Sequence, residues 1–464
     1  MKTIKFLLLG TLLLAAASAE TIDAQEGYVH KRSTEYVWPT DQKVLQKLDK
    51  WQDLKFGVIF HWGIYAVPGI VESWSLCSED ESWIPRDSTI GYDAYKKWYW
   101  DLSKVFNPTK FNPDQWAKAC KDAGMKYVVF TTKHHDGFCM FNTRQTSFSI
   151  ANGPFGSNPK SDVAKYVFES FRNQNFMIGA YFSKPDWHSP YYWWPRYATP
   201  NRNPNYDINK HPARWEAFQK FTYNQISELM HNYGSIDILW LDGGQVRPPK
   251  QDIHMDKIAA MAREAQPGIL MVDRTVHGMY ENYQTPEQSI PSEQLEFPWE
   301  SCITLGKDWG WNSYSKDKPT AKIISSLIEI VAKGGSLLLG VGPTPEGLIS
   351  DTQVAHLKQI GDWMKTNGEA IYNTRSTAVY HDGKVWFTAA KDKKTIYALY
   401  ALDDGDKLPT TITWKGNVPG KHSRMTLLQT GKTVKWSNKG DMVTVTLPKG
   451  TVKKEESIAF RFTL

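Results

Sequence analysis

The stretch that decides the fold is "YVVFTTKHHDGFCMF" (residues 127–141), an apolar, β-branched run followed by His134, His135 and Asp136. The apolar run lacks strict alternation, which is typical of strands in a parallel sheet that is covered on both faces. Polar residues directly after such a strand indicate a site at its carboxyl end. At this point three interpretations are open: a metal site, a packed structural cluster, or the floor of a pocket for a polar ligand.

The rest of the chain repeats this pattern of apolar runs separated by longer amphipathic helical segments. Five further runs have the same character: "KFGVIFH" (55–61), "MIGAYFS" (177–183), "IDILWLD" (236–242), "GILMVDR" (268–274) and "GSLLLGV" (335–341). A seventh strand is placed at "WESCIT" (299–304), and the eighth has no candidate. Alternating strands and helices predict an α/β fold, a (β/α)8-like barrel that is open to irregularity where the eighth strand is missing.

The pattern changes near residue 372, where short alternating β-branched segments begin, divided by Asp-Gly, Lys-Gly and Asp-Lys turns. Such segments predict an antiparallel β-sandwich. We therefore predict a catalytic barrel domain over residues 20–371 and a C-terminal β-sandwich domain over residues 372–464.

The first residues, "MKTIKFLLLGTLLLAAASAE", have the organisation of a secretory signal peptide. Two lysines precede a short apolar run, and the small residues that follow predict cleavage after Ala19. No later segment offers the roughly 20 apolar residues that a membrane-spanning helix needs. The sequence thus predicts an exported protein, periplasmic or secreted, with a signal peptide at residues 1–19 and no membrane span.

Charge and composition narrow the classes of function. The chain has 55 basic and 49 acidic residues. Without the signal lysines Lys2 and Lys5, 53 basic residues remain, spread along the chain, so nucleic acid is not an expected partner. The four cysteines are far apart, which fits neither a zinc ribbon nor a small disulfide scaffold. The 20 Trp and 22 Tyr favour stacking on sugar rings, with aromatic packing as the alternative.

Polar residues lie at or just past the carboxyl ends of the predicted strands, where a barrel builds its active site. These residues are His61, His134, His135, Tyr181, Ser183, Asp242 and Arg274. We expect no metal, because adjacent histidines on an extended segment point to opposite sides and no HxH or HExxH spacing is present. Asp242, which lies two residues after Trp240 and precedes two glycines, is the strongest candidate for a catalytic residue.

Hydrolysis of a glycoside needs two carboxyl groups that flank the scissile bond. Asp242 supplies one. The other has several candidates in the stretch "YENYQTPEQSIPSEQLEFPWESCITLGKDWGW" (residues 280–311), namely Glu281, Glu287, Glu293, Glu296 and Glu300.

Six ordered motifs over about residues 36–368 resemble the α-L-fucosidases of glycoside hydrolase family 29. They are "FGVIFHWGIYAVPG", "TTKHHDGF", "DILWLDGG", "TPEQSIP", "PWESC" and "LLLGVGPTPEG". The resemblance implies a retaining enzyme that needs no cofactor, acts on fucosylated oligosaccharides or glycoproteins, and forms a covalent fucosyl-enzyme intermediate. It further implies that Asp242 is the nucleophile and that a set of residues binds fucose: His61, Trp74, His134, His135, Tyr181, Trp240 and Arg274.

The chain departs from the family at two places: Ser73 stands where many relatives have a Glu before the tryptophan, and Pro298 stands at a lysine position. For the acid/base we predict Glu287, with Glu300 as the alternative. Glu300 begins a predicted strand and would lie at the end of the barrel opposite the active site. Glu287 lies in a loop that Pro286 stiffens, where we expect nothing to bury its side chain before substrate arrives.

Two other functions remain open from the sequence. One is a non-catalytic sugar-binding protein on a decayed barrel, which would require a missing carboxylate. The other is a barrel glycosidase acting on another α-linked sugar, with the same carboxylate pair but different hydroxyl contacts.

Overall fold

The computed structural model describes residues 36–77, 84, 86, 89–199, 201–450 and 453–464. The predicted signal peptide lies outside these residues. Among the helices of the described part, none combines the length and the apolar composition that crossing a bilayer requires.

Seven parallel strands form one curled sheet, in the spatial order β5-β4-β3-β2-β1-β7-β6. All of their residues are buried except Asp242, which is partly exposed, and this explains the missing alternation in the sequence. The strands are β1 (Phe56–Phe60), β2 (Tyr127–Lys133), β3 (Met177–Ser183), β4 (Ile238–Asp242), β5 (Leu270–Asp273), β6 (Glu300–Thr304) and β7 (Ser336–Val341).

An irregular segment, residues 281–288, fills the gap between β5 and β6. It pairs with β5 through an antiparallel bridge between Val272 and Glu281, and with β6 through a parallel bridge between Glu287 and Cys302. Pro286, which has no N–H to donate, accepts a hydrogen bond from the Cys302 N–H at 3.0 Å. The expectation of an irregular barrel is thus confirmed, and the unplaced eighth strand corresponds to isolated bridges.

Eight α-helices accompany the strands in the described residues: α1 (Gln42–Leu54), α2 (Tyr92–Asp101), α3 (Pro113–Asp122), α4 (Val163–Asn173), α5 (Pro212–Asn232), α6 (Met255–Ala265), α7 (Thr320–Ala332) and α8 (Asp351–Asn367). Side chains of Asp41, Asn112 and Ser350 cap α1, α3 and α8 by accepting backbone N–H bonds. The helix α4 buries Val163, Val167 and Phe171, spaced four residues apart, as an amphipathic helix does on a sheet.

The C-terminal part contains two antiparallel sheets, with the orders β13-β12-β16-β10-β9-β8 and β11-β15-β14. Trp414 of the smaller sheet packs on Phe462 of the larger one in a shared core, so the predicted β-sandwich is confirmed. The predicted boundary after residue 371 falls between α8 and β8. The strands are β8 (Thr374–Asp382), β9 (Val385–Ala390), β10 (Thr395–Tyr400), β11 (Thr411–Lys415), β12 (Met425–Leu427), β13 (Lys432–Val434), β14 (Trp436–Lys439), β15 (Met442–Thr446) and β16 (Ile458–Thr463).

Candidate active site

The carboxyl ends of the parallel strands bring the predicted site residues together, except for Glu300, in a cluster called here the pocket. The rings of His61 and His134 lie 5.6 Å apart between centroids, and His61 and Tyr181 lie 5.4 Å apart. Tyr181 in turn stacks on Trp240 at 5.2 Å. Because β1, β2, β3 and β4 are neighbours in one sheet, residues far apart in the sequence meet at one edge.

Asp242 ends β4 with its carboxylate held by three neighbours. Its Oδ2 accepts a hydrogen bond from the Tyr181 hydroxyl at 2.7 Å, and its Oδ1 accepts one from Arg274 Nη1 at 2.8 Å. His135 Nε2 lies 3.7 Å from Oδ2. Burial alone would raise the pKa of this carboxyl, but the Arg274 guanidinium, His135 and the Tyr181 hydroxyl outweigh it and hold the pKa well below its usual range. The side chain is therefore a carboxylate at neutral pH.

The glycine after Asp242 is required by the backbone. Gly243 has a φ of 86°, and a Cβ at this position would lie 2.3 Å from the Pro185 Cδ. Any other residue at this position would be strained, both by the positive φ and by the clash of its Cβ with Pro185. The "DGG" sequence lets the chain turn away while the aspartate remains at the strand end.

Arg274 holds a second carboxylate besides Asp242. Its Nη2 donates to Glu287 Oε2 at 2.8 Å, and its Nε donates to Thr285 Oγ1 at 2.9 Å. Trp309 Nε1 donates to the other oxygen, Glu287 Oε1, at 3.0 Å. The sequence analysis expected nothing to bury Glu287 before substrate arrives; the side chain is partly exposed, but the segment 281–288, which pairs with β6, already brings it into contact with Arg274 and Trp309.

Glu300 lies at the start of β6 and is fully buried inside the barrel. Its carboxyl accepts hydrogen bonds from the Tyr127 hydroxyl at 2.7 Å and from Trp240 Nε1 at 3.3 Å. Burial raises its pKa to about 7, against the effect of both hydrogen bonds and of Arg274. Because Tyr127 begins β2, Glu300 is at the amino end of the sheet, the side opposite the pocket.

His134 and His135 lie side by side, with ring centroids 4.4 Å apart. The expectation that they point to opposite sides is wrong, because β2 ends at Lys133 and the pair is in a turn closed by the Gly137 N–H on the His134 carbonyl, at 3.1 Å. Asp136, the third residue of the quoted motif, is buried and accepts a hydrogen bond from the Tyr99 hydroxyl at 2.8 Å. The two histidine rings therefore lie together in the pocket, whereas Asp136 hydrogen-bonds to the structure that surrounds it.

A serine hydroxyl contacts one nitrogen of each histidine. Ser73 Oγ accepts the Asp136 N–H at 3.0 Å and lies 2.5 Å from His134 Nδ1, with which it shares a hydrogen bond. Ser183 Oγ donates to the Pro185 carbonyl at 3.0 Å, so it accepts from His135 Nδ1. By this hydrogen-bond network, neutral His135 presents an Nε2 acceptor.

His61, His134 and His135 are all neutral in the folded protein. Burial lowers the pKa of His135 to about 4 and that of His61 to about 3, and it lowers the pKa of His134 well below its usual range. In each case the charge of Asp242 opposes this effect without overcoming it.

His134, His135 and Asp242 also have the side-chain types of a cation site. Their potential ligand atoms all lie within 4.8 Å of one another. However, Arg274 and Tyr181 already bond to the two oxygens of Asp242, and the guanidinium would repel a cation. The neutral imidazoles can each pair with a hydroxyl group, which suits this site better than a metal ion.

Trp74 and Ser73 belong to the segment in which the chain departs from the family pattern. Trp74 is partly exposed, with its ring centroid 4.9 Å from that of His135. Ser73 supports His134, whereas the buried Glu72 accepts a hydrogen bond from the Gly310 N–H. The sequence analysis included Ser183 at its strand end but missed Ser73 and Trp309 as site residues. A serine directly before Trp74 and a tryptophan before a glycine just past β6 were the available signals.

The chain is similar to known proteins in sequence and in fold. The sequence model of the family described as Alpha-L-fucosidase matches residues 24–369. The chain is 28% identical over 374 residues to plasma alpha-L-fucosidase of Homo sapiens, covering 76% of each chain. It is 28% identical over 419 residues to tissue alpha-L-fucosidase of Bos taurus, covering 86% of this chain and 84% of the other. The solved structure of alpha-L-fucosidase isoenzyme 1 from Paenibacillus thiaminolyticus is similar with a TM-score of 0.75 at 29% identity, covering 91% of this chain and 100% of the other.

Proposed function

Because the chain belongs to the alpha-L-fucosidase family of glycoside hydrolases, we propose that it is an exported, retaining exo-glycosidase that releases terminal α-L-fucose from glycans. The substrates are fucosylated oligosaccharides or glycoproteins. The observation that carries this proposal is the position of Arg274, which holds Asp242 on one guanidinium nitrogen and Glu287 on the other, each at 2.8 Å.

This arrangement suits a retaining mechanism. Retaining glycosidases keep their two carboxyl groups roughly 5–5.5 Å apart, and two carboxyls that share one guanidinium are close neighbours. A nucleophile must be anionic, which agrees with the lowered pKa of Asp242. Glu287 lies on the segment beside β6, and its carboxyl is partly exposed to the pocket, whereas Glu300 is completely enclosed.

In the first step, Asp242 attacks the anomeric carbon of fucose while the bond to the leaving oxygen breaks. Glu287 gives its proton to that oxygen, and a covalent fucosyl-enzyme forms. In the second step, Glu287 takes a proton from water, whose oxygen attacks the anomeric carbon and displaces the Asp242 carboxylate. Two inversions retain the configuration, and both carboxyls return to their initial protonation states.

The binding of fucose follows from the polar groups around the carboxylates. His135 offers an Nε2 acceptor and neutral His134 lies beside it, so a sugar hydroxyl can donate to His135 and contact His134. Trp240 and Tyr181 close the bottom of the pocket, which limits it to a terminal residue and supports an exo mode of action. His61 and Trp74 flank the sugar on the remaining sides.

The proposal of export rests on the signal-peptide pattern in residues 1–19. It is tested by N-terminal sequencing of the protein from the extracellular or periplasmic fraction. Export predicts a mature chain that begins at Glu20, and a chain retained in the cytoplasm with an intact N-terminus contradicts it.

The activity is tested with aryl glycosides of α-L-fucose and of other sugars. Release of the aryl group from the fucoside alone, with α-L-fucose as the first anomer seen by NMR, supports the proposed reaction. Release from another sugar instead indicates a different glycosidase, and β-L-fucose as the first product indicates inversion. No release from any substrate indicates a sugar-binding protein.

A further inference from the structure

The segment of residues 305–318, between β6 and α7, contributes a tryptophan to the candidate active site that no sequence motif assigned. Trp309 donates its Nε1–H to Glu287 Oε1 at 3.0 Å. The same ring lies 5.0 Å from the His61 ring between centroids. Trp309 therefore contacts both the proposed acid/base and a residue of the proposed fucose pocket.

Close packing against β7 fixes the position of this segment, although the segment itself is not a strand. A Cβ at Gly340 would lie 2.7 Å from Trp309 Cε3, so the indole packs directly on the bare backbone of β7. A Cβ at Gly342 would lie 2.4 Å from the carbonyl carbon of Gly310. Lys318 closes the segment by donating to the Thr304 carbonyl at 2.6 Å.

Glu72 holds the segment from the other side. Its buried carboxyl accepts the N–H of Gly310, the residue next to Trp309. Burial raises its pKa to about 8, against the Gly310 hydrogen bond, and the charges of Asp308 and Glu287 add to the rise. At neutral pH the group is thus an uncharged acceptor that does not repel the neighbouring carboxylates.

We propose that Trp309 is a positioning residue that orients the acid/base carboxyl of Glu287, and that Glu72 positions Trp309 through the Gly310 backbone. This inference rests on the proposed function, because it assigns Trp309 a part in proton transfer by Glu287. Its physical basis is that a general acid works only when its proton-bearing oxygen faces the leaving oxygen within hydrogen-bond reach.

The two hydrogen bonds to Glu287 are not equivalent. The bond from Arg274 to Oε2 is charge-assisted and favours negative charge on that oxygen. The bond from the neutral indole to Oε1 is weaker, so Oε1 carries the proton that goes to the leaving group. Trp309 thereby fixes the rotation of the carboxyl group about its terminal bond.

The test is Trp309→Phe, which keeps an aromatic ring on His61 and Gly340 but removes the N–H. Aryl α-L-fucosides with a good leaving group, 2,4-dinitrophenol, need little help from an acid, whereas phenyl α-L-fucoside needs it fully. Since general acid catalysis contributes about 10²–10⁴-fold, we expect kcat/KM to fall about tenfold or more for the phenyl fucoside and far less for the dinitrophenyl fucoside. The matched control is Trp311→Phe, whose ring packs on Gly69 and which should change both rates equally.

Three further variants test the same geometry without altering the indole. Gly340→Ala places a methyl group against Trp309 and should give the same selective loss on the phenyl fucoside. Glu72→Leu removes the acceptor for the Gly310 N–H, whereas Glu72→Gln retains it, so the selective loss should be larger for the Leu variant. Thermal unfolding of each variant shows whether it is folded, and these three variants decide the matter if Trp309→Phe does not fold.

Equal losses on both substrates in folded Trp309→Phe and Gly340→Ala would assign Trp309 a structural role only and overturn the inference, while leaving the proposed function in place. A wild-type protein that releases no fucose from either substrate overturns the proposed function, and the inference with it.

Discussion

Arg274 lies over the face of Trp240, with its guanidinium carbon 4.3 Å from the ring centroid. The indole N–H of the same Trp240 donates to Glu300 at 3.3 Å. Trp240 therefore separates the two candidate acid/base residues, with Arg274 and Glu287 on the pocket side and Glu300 inside the barrel. Such a cation–π contact contributes about 2 kcal/mol when it is desolvated, so this layer is expected to be rigid.

The first prediction concerns which glutamate is the acid/base. Glu287→Ala should lose far more activity on phenyl α-L-fucoside than on the 2,4-dinitrophenyl fucoside, by a factor of about 10² or more, because only the former needs a proton. Azide should rescue this variant and give the fucosyl azide of α configuration. Glu300→Ala should lower both rates alike and reduce stability, because it removes a buried carboxyl that accepts two hydrogen bonds. The reverse pattern would assign the role to Glu300.

A second prediction concerns the nucleophile. Asp242→Ala should abolish turnover on fucosides while the circular dichroism spectrum remains that of the wild type, because the side chain faces the pocket and has no role in the core. Added azide should partly restore cleavage of the dinitrophenyl fucoside and yield the β-configured fucosyl azide, since a small anion enters the vacated space. A fully active alanine variant contradicts the assignment.

A third prediction separates fucose binding from metal binding at His134 and His135. Alanine at either position should weaken fucose binding by a factor between about 5 and 150, because an unpaired buried hydroxyl costs about 1–3 kcal/mol. Isothermal titration with fucose measures this change. EDTA should leave the wild-type rate unchanged, whereas a loss that a divalent ion restores would instead support a metal site.

A fourth prediction concerns the support of His134 by Ser73. Ser73→Ala removes the hydroxyl that shares a hydrogen bond with His134 Nδ1, so fucose affinity should fall about fivefold, which corresponds to about 1 kcal/mol. The control is the double variant with His134→Ala, in which the serine substitution should have no further effect on affinity. Additive losses would mean that Ser73 acts through another group.

The fifth prediction is a pH dependence of stability at Glu72. Its pKa is about 8 in the folded protein against 4.5 for the unperturbed group, so between these pH values the folded state binds the proton more tightly than the unfolded state. The wild type therefore loses stability from this group as the pH rises from about 5 to 8. The Gln side chain of Glu72→Gln does not titrate. As the pH rises from about 5 to 8, the melting temperature of this variant minus that of the wild type should therefore increase by roughly a few degrees. A difference that is constant with pH would show that Glu72 does not titrate as described.

The sequence by itself was sufficient to predict the barrel, the sandwich and the convergence of Asp242, Arg274 and the histidine pair. These features depend on local patterns: continuous apolar runs form buried parallel strands, and parallel strands place their carboxyl ends at one edge. Once the strands were located, the residues at their ends had to meet, whatever the loops between them do.

Only the tertiary structure decided which hydrogen bonds hold those residues and which of their atoms carry protons. The closure of the barrel by residues 281–288 rests on isolated bridges, so it has no strand pattern in the sequence. The tautomer of His135 depends on Ser183, which donates to the Pro185 carbonyl and so accepts from the ring. Glu72 and Gly310 are 238 residues apart in the sequence, and their hydrogen bond exists because two loops pack against each other. Such contacts depend on side-chain packing between distant segments, which leaves no periodicity or propensity for sequence analysis to detect.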